Sequence, residues 1–226
     1  MPGISWARTN QERSGRGGAL MLEFDYEAMK GKPLTKYGEV SKESLWKNFE
    51  YFTKAVVPEA EKIGMNLSLH PDDPQVDVIQ GISRIMNSVE NFDRALAICP
   101  SKYNGVTMCQ GNFSLMGANI PNLVRRWGKD KINFVHFRNV QDLSGVIPST
   151  KFTETFHDEG QIDMYEAMKA YYEIGFEGPL RPDHVPVMST EIEAGMRGGY
   201  TTLGNLFATG YIRGLAESVA KSGSKA

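Results

Sequence analysis

Four short apolar runs in this chain each end on a residue able to ligate a transition metal. They are Met65-Asn66-Leu67-Ser68-Leu69-His70, Val106-Thr107-Met108-Cys109, Ile132-Asn133-Phe134-Val135-His136 and Gly178-Pro179-Leu180-Arg181-Pro182-Asp183. Short β-like runs closed by polar residues read as buried strands. The ligand positions 70, 109, 136 and 183 are separated by 39, 27 and 47 residues. Such gaps suit successive βα units, because each parallel strand needs a crossover before the next. One ligand per strand end, at the carboxyl side of a parallel barrel or sheet, is where such folds place their chemistry. His, Cys, His and Asp together are a good donor set for a divalent transition metal.

The segments between the runs read as helices. After Ser41, Leu45, Phe49, Phe52 and Val56 fall at helical spacing and Gly64 is a natural stop, with Pro58 expected to kink or divide the helix. Ser88 opens a second helix through Phe92, Ala95 and Leu96. Pro121 sits where a first turn tolerates it, ahead of Leu123, Val124 and Trp127. Asp163 is placed to cap a helix carrying Met164, Met168, Tyr171 and Ile174, closed by Gly175, and a long helix covers about 202–220. Alternating helix and strand predicts an α/β protein with parallel strands.

Composition narrows the function class. At 226 residues the chain is one large domain or two small ones, and no linker divides it. A net charge of −2 gives no electrostatic case for nucleic acid or anionic membrane. No run reaches the roughly 18 apolar residues of a membrane span, and the first residues lack the apolar core of a signal peptide. Two cysteines make no disulfide framework, which points to a reducing, cytoplasmic compartment. Cys99, beside Pro100, reads as a buried structural thiol.

Each chemical residue has an ordinary reading when taken alone. A strand-end histidine is commonly a satisfied structural one, Cys109 a small buried hydrophobe, and Asp183 a loop cap. Their shared position is what joins them. Arg138 and Asn139 follow His136, and an arginine there can clamp a substrate carboxylate in a bidentate way. His184, next to Asp183, is placed for proton transfer, and the Gly198-Gly199-Tyr200 turn can present a phenol. His157 reads as a loop residue. Asp72-Asp73, between two prolines, reads as turn chemistry.

Taken in order, His70-Pro71-Asp72-Asp73-Pro74, Cys109-Gln110-Gly111, Val135-His136-Phe137-Arg138-Asn139-Val140, Asp163-Met164 and Arg181-Pro182-Asp183-His184 strongly resemble the D-mannonate dehydratase family. Trp6-Ala7-Arg8-Thr9 is similar to that family's Trp-Thr-Arg-Thr segment. The resemblance implies a (β/α)8 TIM barrel of the xylose-isomerase-like kind. It implies dehydration of D-mannonate to 2-keto-3-deoxy-D-gluconate in hexuronate breakdown, with Mn²⁺ or Fe²⁺. It implies metal ligation by His70, Cys109, His136 and Asp183, and acid–base work by His184 and Tyr200, with Arg138 and Asn139 near the substrate. The ligands themselves are of intermediate softness and do not select Mn²⁺. A sugar isomerase or epimerase of the same barrel type is the alternative, opposed by the cysteine in the ligand set. A metal-binding remnant without turnover is the other.

Length adds an expectation. A complete barrel takes about 250 residues, and only four strands, with a fifth around Ala19 to Phe24, are legible here. The chain therefore reads as a single domain, 1–226, forming the C-terminal part of a barrel that lacks its first βα units. Residues 222–226 would form a frayed tail. On that reading the segment from Trp6 to Gly18 is poorly ordered, Leu20, Leu22 and Phe24 are more exposed than their pattern implies, the chain self-associates, and it turns over little mannonate alone.

Overall fold

The structure is a computed structural model and describes residues 7–223. Trp6 and residues 224–226 lie outside the described residues. The strands are β1 (Asn10–Ser14), β2 (Leu20–Asp25), β3 (Leu67–Leu69), β4 (Val78–Ile79), β5 (Ile82–Ser83), β6 (Asn104–Cys109), β7 (Ile132–Phe137), β8 (Val140–Asp142), β9 (Lys151–Glu154) and β10 (Leu180–Pro182). The α-helices are α1 (Lys42–Ile63), α2 (Val89–Ile98), α3 (Gln110–Leu115), α4 (Ile120–Trp127), α5 (Met164–Glu173), α6 (Thr190–Glu193) and α7 (Thr202–Gly223).

All four ligand-bearing runs are strands of one parallel sheet, ordered β10-β7-β6-β3. Across it the strands follow chain order without reversal. That is the winding of a barrel, whereas a doubly wound sheet reverses at a switch point. Every residue of β6 is buried, as expected of a strand covered on both faces. Val106, Met108, Ile132, Val135 and Phe137 of the sheet join Phe92, Leu123, Val124, Trp127, Ala167 and Met168 of the helices in one core. Phe92, Phe113 and Trp127 pack edge-to-face or tilted there, with ring centroids 4.9–6.0 Å apart.

The helix starts follow the capping residues. Ser41, Ser88, Asn119 and Asp163 each accept a hydrogen bond from the backbone N–H three residues on. Gly64, at φ 67°, ends α1 in the left-handed conformation that glycine adopts without cost. Pro58 does not divide α1, which runs unbroken over 22 residues. One missing backbone donor is offset by the burial of Trp46, Val57 and Ala60. Ser222 and Gly223 belong to α7 rather than to a frayed tail.

A second sheet, antiparallel and ordered β1-β2-β9-β8, was not legible in the sequence beyond β2. It corrects two expectations. Residues 10–14 are not loose but pair with β2. Leu22 and Phe24 are 2% and 0% exposed and Leu20 is half-buried, because β2 pairs with β9 and Phe24 packs on Phe152 at 5.6 Å. β9 thus covers β2 within this antiparallel sheet, while β3 and β10 remain the outer strands of the parallel one. Cys99 is half-buried rather than buried, and it and Cys109 are free thiols.

Candidate metal centre and active site

The parallel register sets the site. Cys109, the last residue of β6, stands opposite His136 in β7, and Arg181 of β10 stands opposite His136 on the other side. His70 follows β3 and Asp183 follows β10. Imidazole and thiol atoms of His70, Cys109 and His136 all lie within 4.8 Å of one another. His70 Nε2 is 3.1 Å from His136 Nδ1. Asp183 Oδ2 is 3.5 Å from His136 Nδ1 and 3.9 Å from Cys109 Sγ. Four ligands at 2.0–2.3 Å around a tetrahedral ion stand roughly 3.3–3.8 Å apart. Three of the four donors thus lie at a spacing one divalent ion can bridge, and Asp183 stands beside two of them, His136 and Cys109. Nδ1 of His70 lies 2.6 Å from the Pro71 carbonyl. Donating there leaves Nε2 with its lone pair toward the cluster, the usual arrangement behind a metal-binding imidazole.

Charge around the cluster is arranged for an anion at Asp183. Burial pushes its carboxyl up, but the His136 hydrogen bond and the nearby His184 and Arg138 outweigh this and hold it far below the usual carboxylate range. Its Oδ1 accepts from Tyr200 Oη at 2.8 Å and from Arg181 Nη2 at 3.1 Å. Burial and the Asp183 charge push the Tyr200 phenol up to about 12, so it stands protonated as a donor. His136 is pushed down by burial and up, more strongly, by its contacts to Asp183 and Cys109.

His184 and Tyr200 come together beside this carboxylate. Their rings meet edge-to-face at 5.3 Å, and His184 Nε2 is 3.8 Å from Asp183 Oδ1. The other ring nitrogen, Nδ1, is 2.7 Å from Glu154 Oε1. His184 has φ 39°, a left-handed conformation that is strained for a non-glycine residue and is typically retained at functional sites.

Arg138 and Asn139 do not take the expected roles. Arg138 is fully buried, with Nη1 on Asp73 at 2.9 Å and Nη2 on Glu154 at 2.7 Å. Its fork is already occupied by two protein carboxylates, so it cannot also clamp a substrate carboxylate. Asn139 is equally buried. Its Nδ2 donates to the His157 and Ile162 carbonyls, and its Oδ1 accepts from the Val140 and Ile162 amides. Every polar atom of that side chain ties the start of β8 to the segment that follows β9.

The residues that sequence reasoning passed over form the wall behind His184. Arg8 reaches Asp73 at 3.0 Å and also bonds Glu154. Asp73 and Glu154 are thus each held by Arg8 and Arg138. Burial raises both carboxyls and the two guanidiniums lower them further, leaving Glu154 at about 2 and Asp73 lower still. Asp72 keeps the turn role, accepting from the Met86 amide and Arg84, whereas Asp73 belongs to the site. Asp73, Glu154 and His184 also lie within 4.8 Å of one another. Two arginines already neutralise this cluster's two carboxylates, so the cluster offers no net negative charge to hold a second cation. His157 is 1% exposed, and burial, opposed by Asp183 and the Phe137 backbone, brings it down to about 4. It lies in the turn after β9, as expected of a loop residue, but as a buried neutral imidazole.

With this geometry in hand, a family model described as D-mannonate dehydratase (UxuA) matches residues 26–226. The chain belongs to the D-mannonate dehydratase family. A mannonate dehydratase of Streptococcus agalactiae serotype V is 34% identical over 252 aligned positions, covering 100% of this chain and 70% of that protein. One from Thermotoga neapolitana is 31% identical, covering 98% of this chain and 69% of its own. The crystal structure of mannonate dehydratase from Streptococcus suis serotype 2 superposes with a TM-score of 0.85 at 31% identity, covering 99% of this chain and 66% of that one. An L-ribulose 3-epimerase and a xylose isomerase domain protein from Alicyclobacillus acidocaldarius align at TM-scores of 0.55 and 0.57 with 16% and 14% identity. These two speak to the fold alone, that of the xylose-isomerase-like TIM barrels. The D-mannonate dehydratases are hydro-lyases, and this chain is one by family. No described helix is long and apolar enough to cross a membrane.

Proposed function

We propose that this chain dehydrates D-mannonate to 2-keto-3-deoxy-D-gluconate in the cytoplasm, using one Mn²⁺ or Fe²⁺ held by His70, Cys109, His136 and Asp183. The observation that carries the reading is the convergence of the His70, Cys109 and His136 ligand atoms, with Asp183 beside His136 and Cys109 and with His184 and Tyr200 against that aspartate. When bound, the ion supplies Lewis-acid stabilisation of the negative charge that develops beside the substrate carboxylate.

The chain's own groups do the rest. Elimination of water removes a proton from C2 and returns one to the hydroxyl leaving C3; the resulting enol then ketonises at C2. Two proton-transfer groups on one side of the ligand cluster suit this. His184 presents Nε2 and Tyr200 presents Oη beside the same carboxylate oxygen, so one group receives as the other gives. Tyr200 is half-exposed, whereas His184 is buried against Glu154 and Asp73. Arg181, whose guanidinium touches His136, Asp183 and Tyr200, replaces Arg138 as the cation nearest the substrate's approach.

The test is direct. The purified chain, loaded with Mn²⁺, is given D-mannonate and the 2-keto-3-deoxy product is measured. Metal-dependent formation of that product is expected. Stoichiometric metal binding with no product would overturn the reading for this chain and favour a metal-binding remnant. Isomerised sugar in place of keto-deoxy acid would favour the isomerase alternative.

A further inference from the structure

We propose that Glu154 is a positioning residue that fixes the tautomer and aim of His184. This rests on the reading of His184 as a proton-transfer group and assigns the reason it works. Glu154 lies on β9, outside the parallel sheet, and is 1% exposed. Its Oε1 is 2.7 Å from His184 Nδ1. A carboxylate only accepts, so Nδ1 must carry the proton. Nε2, the nitrogen that faces Asp183 and Tyr200, is then left to gain or lose a proton.

The carboxylate cannot swing away from this duty. The same Oε1 also accepts from Arg138 Nη2 at 2.7 Å and from Arg8 Nε at 3.0 Å. Both arginines are tied in turn to Asp73. Asp73 itself is 3.8 Å from His184 Nδ1, beyond hydrogen-bond range, so of the two carboxylates Glu154 is the one that orients the ring. Packing alone does not choose between the two imidazole tautomers; a single fixed acceptor at Nδ1 does. The backbone adds to this: the left-handed φ of His184 turns the side chain from the strand direction toward β9.

Glu154→Leu tests the proposal. Arg8, Arg138 and His184 all meet Oε1 and Oε2 has no partner, so a glutamine would keep its carbonyl oxygen toward Nδ1, whereas leucine removes the acceptor. Two measurements are made on the full chain. The first is ¹⁵N-edited imidazole NMR of Zn²⁺-loaded protein, which is diamagnetic; His184 is assigned among the four histidines by comparison with His184→Asn. Wild type should show His184 protonated at Nδ1, and Glu154→Leu should show that preference lost. The second is steady-state turnover of D-mannonate with Mn²⁺. Glu154→Leu should lower kcat by at least about tenfold, as loss of an orienting carboxylate behind a functional histidine does. KM should stay within about threefold and bound metal should be unchanged. Glu154→Asp, which keeps the charge, should recover part of the kcat.

An Nε2-protonated His184 in wild type would overturn the proposal even if the variant failed to fold. So would Glu154→Leu that loses thermal stability while tautomer and kcat are unchanged, since Glu154 would then serve the fold alone. If wild type forms no keto-deoxy product, the functional reading fails on its own account. The tautomer measurement still decides whether Glu154 sets His184.

Discussion

Replacing Arg138 with methionine separates a buried structural cation from a substrate clamp. The guanidinium is 0% exposed and bonds both Asp73 and Glu154. With it removed, only Arg8 remains to balance two buried carboxylates, and one negative charge is left without a partner in a site closed to water. Breaking a buried pair in this way costs about 3–5 kcal/mol. For a chain of this size that corresponds to a fall in melting temperature of roughly 6–20 °C. Lysine is expected to recover little, because one ammonium cannot reproduce a fork that reaches two carboxylates. The assay is thermal unfolding followed by circular dichroism at neutral pH, with Arg16→Met as control. Arg16 pairs with Asp158 at the surface, where such bridges contribute little. Were Arg138 a clamp for the substrate carboxylate, Arg138→Met would instead raise KM and leave the fold untouched. A melting temperature within about 2 °C of wild type together with a raised KM would refute the network argument.

Three further outcomes follow from the same geometry. Cys109→Ser replaces a thiolate ligand by a neutral hydroxyl and should lower metal affinity by at least about tenfold, read by elemental analysis after dialysis; unchanged occupancy would make Cys109 ordinary core. His184→Ala should retain metal but lower kcat by about 10²–10⁴-fold, and a kcat close to wild type would remove it from proton transfer. Acid should destabilise the fold through Glu154. Its folded carboxyl, at about 2, lies below the ordinary 4.5, so its contribution is complete above 4.5 and is lost as pH falls toward 2. Urea melts across that window should show a shallower pH dependence for Glu154→Gln, and equal slopes would exclude the linkage.

The readable part of the site was the part carried by periodic elements. His70, Cys109, His136 and Asp183 each end a strand whose apolar pattern is local, so their common location followed once the strands were taken as parallel. His184 was placed by its position next to Asp183 and Tyr200 by its glycine-rich turn, the resemblance adding their acid–base role, and in the structure both lie beside Asp183. Arg138 was misread because spacing gives a side chain's place along a strand but not its partners. Only folding brings Asp73 and Glu154, 65 and 16 residues away in sequence, onto its two nitrogens. Glu154 had one available signal. It lies two residues after Phe152 and so on the same face of a strand, which marks a carboxylate on an apolar face. Strand β9 is only four residues long and follows a loop, so that alternation was too short to stand out.

The sequence by itself determined the parallel strands, the caps that start their helices and the set of metal-ligating residue types. These are local matters, governed by side-chain periodicity and by hydrogen bonds to backbone a few residues away. Tertiary structure alone decided the antiparallel sheet that buries Leu22 and Phe24. It alone decided the balanced cluster of Arg8, Arg138, Asp73 and Glu154, and the acceptor at His184 Nδ1. The physical reason is that burial makes an unpaired charge costly, so the identity of each partner is fixed by which distant segments share the dehydrated interior. No pattern along the chain records that pairing.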